Sequence, residues 1–277
     1  MTTSCLHVRT AGDPGRTTLC FLHGFLGSSR EWASWLERWA DDYYLVAFDL
    51  PGHGQTPPIT APDAYTVPGA AQAVVAWLRD NGHAPAQVVG YSMGGRVALY
   101  LALRDPGVCR RVVIESASPG LLDERMARAR QRHDDRWAQR FEQEPLTQAL
   151  DDWYRQPVFA SLHDHPDVYA RMHRQRLDNR PAEIARSMRG MSVSRQQALW
   201  KDLPELSRDL LVLAGERDTK YRDVATRMAA CSGRIRMAII PTAGHNVHLE
   251  APDAWANAVR SFLVASATED AEVLTDA

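Results

Sequence analysis

The chain has 277 residues, 45% of them hydrophobic, and a formal net charge of −2. This length and apolar content suffice for one large α/β domain with an insertion or for two small domains, and the near-neutral charge argues against nucleic acid or an anionic membrane surface as a partner. No apolar run approaches the roughly 18 residues of a membrane span, and the N-terminus lacks a signal-peptide pattern, so we predict a soluble, cytoplasmic protein.

Short apolar runs that end in glycine turns alternate with helical patterns along the first part of the chain. TTLCFLHGF (17–25) is typical of a buried strand that leads into a loop. A capping box, Ser28-x-x-Glu31, then precedes a helix whose inward positions are Trp32, Trp35, Leu36 and Trp39. YYLVAFDLPGHG (43–54) repeats the strand and loop, and VPGAAQAVVAWLRDNG (67–82) is a helix that stops at Asn-Gly.

Four further runs continue the pattern: AQVVGYSMGG (86–95), RRVVIES (110–116), RDLLVLAGERD (208–218) and RIRMAIIPTAGH (234–245). Strands that alternate with helices predict a mostly parallel sheet covered by helices on both faces. We therefore expect an α/β core formed by residues 1–118 and 204–265.

The alternation stops between these core segments. Residues 119–203 are charged, favour helices and lack strand patterns, and 14 arginines fall between residues 121 and 200. We predict a helical cap insertion here, and a disordered tail over residues 266–277, which are acidic and weakly patterned.

A serine stands at the sharpest of the predicted turns. Gly90-Tyr91-Ser92-Met93-Gly94 matches G-x-S-x-G, in which glycines permit a tight strand-to-helix turn and the serine hydroxyl is held out at the sheet edge. Alone, the pentapeptide does not distinguish a nucleophile from an ordinary turn or helix cap, which has the same pattern.

Partners for the serine follow later strands. A serine hydroxyl needs a histidine to take its proton, and the histidine needs a carboxylate that fixes its tautomer. Asp218 and His245 each follow a predicted strand, and the order Ser92, Asp218, His245 is that of the α/β-hydrolase fold. Glu216 competes with Asp218 for the acidic role.

An oxyanion hole is expected beside this triad. In this fold one donor follows the first strand predicted here, which gives the backbone N–H of Phe25, and the other is the N–H of Met93, directly after the serine. His23 and His53, in neighbouring glycine loops, are interpreted as packing residues.

The sequence predicts no metal and no cofactor. The histidines of the insertion have no acidic or cysteine partners at metal-ligand spacing, and GYSMGG is not a dinucleotide fingerprint. Cys5, Cys20, Cys109 and Cys231 lie far apart, which favours free thiols over disulfides.

Several segments together resemble one enzyme family. The segments are FLHGFLGSSREW, FDLPGHG, VGYSMGGRVAL, RQRHDDRWAQRFEQEPL, DWYRQPVFASL, LAGERDTKYR and AGHNVHLEAP. Through them the chain resembles, from about residue 19 to about residue 260, the 2-succinyl-6-hydroxy-2,4-cyclohexadiene-1-carboxylate synthases of menaquinone biosynthesis. Those from the insertion are the most specific to the family.

The resemblance implies a carbon–oxygen lyase of the α/β-hydrolase fold. Its substrate would be a cyclohexene with three carboxylates, from which the triad eliminates pyruvate after it abstracts a ring proton. Arginine forks bind carboxylates bidentately, and the family's substrate-binding arginines correspond to Arg96, Arg130 and Arg176, with Arg174 a rival to Arg176. Tyr91 and Trp153 match pocket positions, although packing explains either residue equally well.

Two other functions are compatible with the same residues. A serine esterase or C–C bond hydrolase would use the triad to form an acyl-enzyme, and a non-catalytic ligand-binding protein would keep only the scaffold. Arg195, in GMSVSRQQALWKDL, is an additional cation without an assigned role. The sequence leaves open whether the protein is a monomer or a homo-oligomer.

Overall fold

A seven-stranded sheet forms the centre of the molecule. The structure is a computed structural model and describes residues 6–264. Its strands are β1 (Val8–Ala11), β2 (Thr18–Leu22), β3 (Tyr44–Phe48), β4 (Ala86–Tyr91), β5 (Cys109–Glu115), β6 (Asp209–Gly215) and β7 (Ile235–Ile240). The spatial order is β1-β3-β2-β4-β5-β6-β7, and β1 pairs antiparallel with β3 while the other pairs are parallel. The predicted mostly parallel sheet is confirmed.

The helices of the core are α1 (Ala33–Trp39), α2 (Val67–Asp80) and α3 (Met93–Arg104), and those of the predicted insertion are α4 (Glu124–Gln143), α5 (Leu146–Tyr154), α6 (Pro166–Arg176) and α7 (Pro181–Gly190). The chain returns to the core with α8 (Thr219–Ala229), α9 (Val247–Glu250) and α10 (Pro252–Val264). Short 3-10 helices at Ser29–Trp32, Pro62–Tyr65, Pro106–Val108, Pro157–Asp164 and Trp200–Glu205 complete the described elements.

Alternating strand residues bury both faces of the sheet. Val88 on β4 packs with residues of α2, α3 and α8, whereas its neighbour Val89 packs with the tryptophans of α1 and α10. Because successive strand side chains point to opposite faces, a strand covered on both sides is buried and mostly apolar along its whole length, as β2 and β4 are. Helices therefore lie on both faces of the sheet, as predicted.

The helices of residues 119–203 have an apolar cluster of their own. Trp137, Phe141, Leu150 and Ile184 belong to it, and Leu26, just after β2, is buried in the same cluster. The helical segment thus lies at the end of the sheet where the strands release their loops. The boundaries of the predicted cap and core remain a prediction.

Two local predictions differ from the structure. The capping box at Ser28 is wrong in part, because the helix begins as a 3-10 turn in which the Ser28 hydroxyl accepts from the Arg30 N–H, and the Glu31 side chain is buried in other contacts. Strand β1 was not predicted from the sequence, since its four residues are mostly half-buried and show no apolar run.

The structure bears on the predictions for the cysteines and the membrane, but it describes only part of the residues concerned. Cys20, Cys109 and Cys231 are free thiols, while Cys5 and the predicted disordered tail lie outside the described residues. No helix within residues 6–264 is both long and apolar enough to cross a membrane.

Candidate active site

Ser92 occupies a strained turn between β4 and α3. Its backbone has φ 49° and ψ −104°, in the left-handed region that side chains with a Cβ rarely adopt. The turn closes only because its glycines lack side chains: a Cβ on Gly94 would lie 2.3 Å from the Leu22 carbonyl oxygen, and one on Gly90 would lie 2.4 Å from the Gly94 carbonyl oxygen. The Ser92 N–H donates to the Glu115 carbonyl at 2.8 Å, which fixes the turn to β5.

Asp218, His245 and Ser92 form a continuous hydrogen-bonded chain. His245 Nε2 is 3.2 Å from Ser92 Oγ, and His245 Nδ1 is 2.6 Å from Asp218 Oδ2. His245 and Asp218 are buried, and Asp218 also caps α8 by accepting from the Tyr221 N–H. A carboxylate on Nδ1 leaves Nε2 free to accept the serine proton.

Glu216, the rival acid, takes no part in these hydrogen bonds. Glu216 is exposed, and its carboxylate accepts from the Thr242 N–H at 2.9 Å. The geometry therefore favours Asp218 as the partner of His245.

The two predicted oxyanion donors both line the space in front of Ser92. Phe25 follows β2 and Met93 begins α3, and within residues 6–264 neither backbone N–H has a protein acceptor. Two free donors beside a nucleophile are suited to an oxygen that develops negative charge.

His23 and His53 pack behind Phe25. His23 donates from Nδ1 to the Gly24 carbonyl at 2.7 Å and accepts from the Leu50 N–H at Nε2, so its ring is neutral. Burial lowers the pKa of both histidines, and that of His53 lies well below its ordinary value. The packing role expected for them agrees with these contacts.

A cavity of about 410 Å³ opens beside the triad. It is lined by the loops at the carboxyl ends of the strands and by the helices of residues 119–203. All of the predicted site residues except Asp218, which lies behind His245, contribute to its wall: Ser92, His245, Phe25, Met93, Arg96, Arg130, Arg176, Tyr91 and Trp153.

Arg96 is a cation of this wall that has no acidic partner within residues 6–264. It lies one turn into α3 and donates to the Gln196 side chain at 3.0 Å and the Met191 carbonyl at 2.6 Å, both neutral acceptors. Burial and the nearby charge of Arg130 lower the pKa of Arg96 to about 10. At neutral pH it is still charged, so a substrate anion would supply the missing countercharge.

Arg130 and Arg176 are already paired with carboxylates. Arg130 Nε donates to both oxygens of Asp134, at 2.7 and 2.8 Å. Arg176, which is 1% exposed, donates to Glu31 and to the Tyr154 hydroxyl. Their remaining N–H groups are the ones available to a ligand.

The other arginines considered lie elsewhere. Arg174 is exposed and does not line the cavity, which favours Arg176 over its rival. Arg195 is also exposed and outside the cavity wall.

Tyr91 and Trp153 combine packing with a place in the wall. The Trp153 ring lies 5.2 Å from that of Phe25, and the Tyr91 ring meets that of His245 edge-on at 5.5 Å. Both side chains are nearly buried, so they shape the cavity next to the triad.

Sequence reasoning missed several wall residues. Lys220 and Tyr221 follow Asp218 on α8, and Tyr154 follows Trp153 on α5. Lys220 could have been found, since it is one of two lysines and comes two residues after Asp218. Within residues 6–264 no group of three or more His, Cys, Asp or Glu side chains is arranged to hold a metal ion.

Comparison with known proteins gives consistent relatives. Residues 17–252 match the family described as alpha/beta hydrolase fold. The 2-succinyl-6-hydroxy-2,4-cyclohexadiene-1-carboxylate synthase of Serratia proteamaculans (strain 568) is 38% identical over 259 residues, 91% of this chain and 95% of the relative. The enzyme of the same name from Escherichia coli O1:K1 / APEC is 40% identical over 243 residues, 87% of this chain and 91% of the relative.

A solved structure shows the same similarity in three dimensions. The structure of MenH from S. aureus has a TM-score of 0.87 and 30% identity, and covers 95% of this chain and 98% of that one. The expected resemblance and fold are thus confirmed, and the chain belongs to the 2-succinyl-6-hydroxy-2,4-cyclohexadiene-1-carboxylate synthase family of α/β-hydrolase-fold enzymes.

Proposed function

We propose that the protein is a carbon–oxygen lyase of menaquinone biosynthesis that eliminates pyruvate from 2-succinyl-5-enolpyruvyl-6-hydroxy-3-cyclohexene-1-carboxylate. The product is 2-succinyl-6-hydroxy-2,4-cyclohexadiene-1-carboxylate, after which the two relatives described above are named. The observation that carries the proposal is Arg96, a charged residue in the wall of a cavity beside a Ser–His–Asp chain. Among the described residues, Arg96 has no acidic partner. A neutral ester would supply no countercharge to such an arginine.

The substrate has three carboxylates, and the cavity wall has matching cations. Arg96 is unneutralised, Lys220 forms no ion pair within the described residues, and Arg130 and Arg176 keep part of their donor sets free. Guanidinium groups stay charged at all relevant pH and bind carboxylates with directional N–H donors. These residues would hold the ring in one orientation, with Tyr91 and Trp153 against its apolar edges.

The triad would act as a base. His245 Nε2 accepts the Ser92 proton, and Ser92 Oγ abstracts the ring proton next to the succinyl carbonyl. The electron pair left at C2 of the ring forms the C2=C3 double bond, the electron pair of C3=C4 shifts to C4=C5, and the bond from C5 to the enolpyruvyl oxygen breaks. Pyruvate leaves as its enolate, which takes the proton from His245. No acyl-enzyme forms and no water is consumed.

The N–H groups of Phe25 and Met93 would stabilise the intermediate. Proton loss places negative charge on the succinyl carbonyl oxygen, and two preorganised donors lower the energy of that charge more than of the neutral ketone. Asp218 stabilises the imidazolium that forms at the same time.

The test is pyruvate release from the enolpyruvyl tricarboxylate by the purified protein, beside hydrolysis of a neutral p-nitrophenyl ester. Fast pyruvate release, lost in Ser92→Ala, with little ester hydrolysis would support the lyase. Dominant ester hydrolysis with rapid acylation of Ser92 by a fluorophosphonate would refute it in favour of the serine hydrolase. Absence of both activities in the wild type would favour the ligand-binding protein, and activity that survives in Ser92→Ala would exclude Ser92 from the chemistry. Oligomeric state and the cytoplasmic location stay predictions.

A further inference from the structure

Four buried charged side chains form a row that starts in the cavity wall. Arg176 donates to Glu31, a Glu31 oxygen lies 3.5 Å from His248 Nε2, and His248 Nδ1 lies 2.8 Å from Glu115 Oε1. Each of the four residues is less than a tenth exposed. With His248 protonated, the charges alternate along the row and sum to zero.

The neighbours of His248 and Glu31 stabilise the ionised forms of these two side chains. Burial disfavours a charged imidazole, but Glu115 and Glu31 outweigh it and raise the pKa of His248 to about 9. Burial likewise opposes the Glu31 carboxylate, yet Arg176 and His248 hold its pKa below the ordinary value. Charges in a low-dielectric interior persist only when paired in this way.

The remaining groups around His248 carry no charge at neutral pH. Its ring stacks on Trp32 at 4.6 Å and lies 6.2 Å from Trp255 and 4.9 Å from Tyr91. Burial and the two glutamates raise the pKa of Tyr91 well above its ordinary value, so this phenol is neutral. Tyr91 also lies against His245 on its other side, and Glu31 and Glu115 are the carboxylates in contact with His248.

Each end of the row contacts the proposed catalytic machinery. At one end, Arg176 Nη1 is buried without a partner among the described residues, although Arg176 lines the cavity. At the other end, the Glu115 backbone carbonyl accepts from the Ser92 N–H at 2.8 Å. His248 lies three residues after His245, so its contact with Glu115 ties the histidine loop to the strand that also holds the serine turn.

We propose that Glu31, His248 and Glu115 are positioning residues, which fix the Arg176 guanidinium in the cavity wall and hold the His245 loop against β5. Glu31 occupies one edge of the guanidinium, so the free Nη1 edge keeps a constant direction towards a substrate carboxylate. The contact of His248 with Glu115 keeps His245 at a constant distance from Ser92. The proposal rests on the proposed function, because these roles need an anionic substrate and proton transfer.

The row can be tested without any activity. In the full-length protein labelled at its histidine rings, NMR titration should place the His248 midpoint at about pH 9. Glu31→Gln should lower that midpoint by at least about one pH unit, since one of the two flanking carboxylates is lost. The matched control is Glu142→Gln, which removes an exposed carboxylate on α4 that pairs with Arg189 on α7. This variant should leave the His248 midpoint unchanged. A His248 midpoint near 6.5, or no response to Glu31→Gln, would overturn the row.

Steady-state kinetics of pyruvate release then separate the two positioning roles. Glu31→Gln should raise KM at least about tenfold with kcat within about threefold, because Arg176 loses the charge-assisted bond that orients it. Glu31→Asp keeps the charge and should recover part of the affinity. The charge-balanced double variant His248→Gln/Glu115→Gln should lower kcat at least about tenfold with KM within about threefold, because it loosens the His245 loop.

The outcomes are distinct for each hypothesis. If Glu31→Gln does not fold, Glu31→Asp must raise KM on its own, since its carboxylate is one methylene shorter. Lower melting temperatures in the variants, with KM and kcat no different from those of Glu142→Gln, would show a merely structural row and refute positioning. If the wild type releases no pyruvate, the proposed function fails, and the NMR titration alone still decides whether the charged row exists.

Discussion

Replacing Arg96 with methionine is the sharpest test of substrate recognition. Methionine has a similar length and no charge, so it removes the guanidinium while it fills much of the same space. A hydrogen bond to a charged group contributes about 1.5–3 kcal/mol, and each 1.4 kcal/mol is about tenfold in an equilibrium constant. We therefore expect kcat/KM for the tricarboxylate to fall by about 10- to 150-fold in Arg96→Met.

The fold should tolerate this change. Two hydrogen bonds, to Gln196 and to the Met191 carbonyl, are lost, but a cation that is desolvated and close to Arg130 is removed as well. The two effects oppose each other, so we expect a Tm within about 4 °C of wild type, because about 1 kcal/mol shifts Tm by about 2–4 °C at this size.

The assay is pyruvate formation coupled to NADH oxidation by lactate dehydrogenase, with Arg195→Met as control. Arg195 is adjacent in sequence to Gln196, which accepts from Arg96, but it is exposed and outside the cavity wall, so its replacement should leave kcat/KM within about twofold. A kcat/KM for Arg96→Met within threefold of wild type would refute carboxylate binding by Arg96. Equal losses in both variants would show a general dependence on positive charge instead.

Three further changes test the turn, the base and the buried charges. Ser92→Ala should lower kcat for pyruvate release by about 10²–10⁴-fold, the usual contribution of a positioned base, and a residual rate near wild type would exclude Ser92 from proton transfer. Gly94→Ala should destabilise the fold by at least about 2 kcal/mol in chemical denaturation, because its Cβ would lie 2.3 Å from the Leu22 carbonyl oxygen, while Gly107→Ala, with nothing within 4 Å, should change little. The pKa of His248 is raised from 6.5 to about 9, so the stabilising contribution of this residue is fully present below pH 6.5 and is lost as the pH rises through about 9. The free energy of unfolding should therefore fall by about 3 kcal/mol over that range. An equal free energy of unfolding at both ends of the range would contradict the ion pairs.

Most of the fold and the triad geometry follow from local patterns. Parallel strands expose their loops at one edge of the sheet, so Ser92, Asp218 and His245, each placed after an apolar run, were expected to meet there. The hydrogen bonds of His245 agree with that expectation. Strand β1 escaped prediction because an antiparallel edge strand of four residues has no buried run to reveal it.

The role of Glu31 could not be read from its neighbours. The pattern S-x-x-E is the same whether the glutamate caps a helix or is buried, and its partner Arg176 is 145 residues away in sequence. The pairing that decides between the two exists only after residues 119–203 pack on the core. The same holds for Arg130, whose Asp134 partner is one turn away and resembles an ordinary surface pair until burial is known.

Phe25 belongs to both halves of the cavity. Its backbone N–H continues from β2, while its ring packs among cap side chains, 5.2 Å from Trp153 and 5.8 Å from Phe141. Met93, at the start of α3, is buried within the core cluster. The proposed oxyanion hole thus has one donor residue whose side chain is buried in the core cluster and one whose side chain packs against α4 and α5. We therefore expect substitutions in α4 or α5 that never meet the reacting atoms to change the rate of the chemical step.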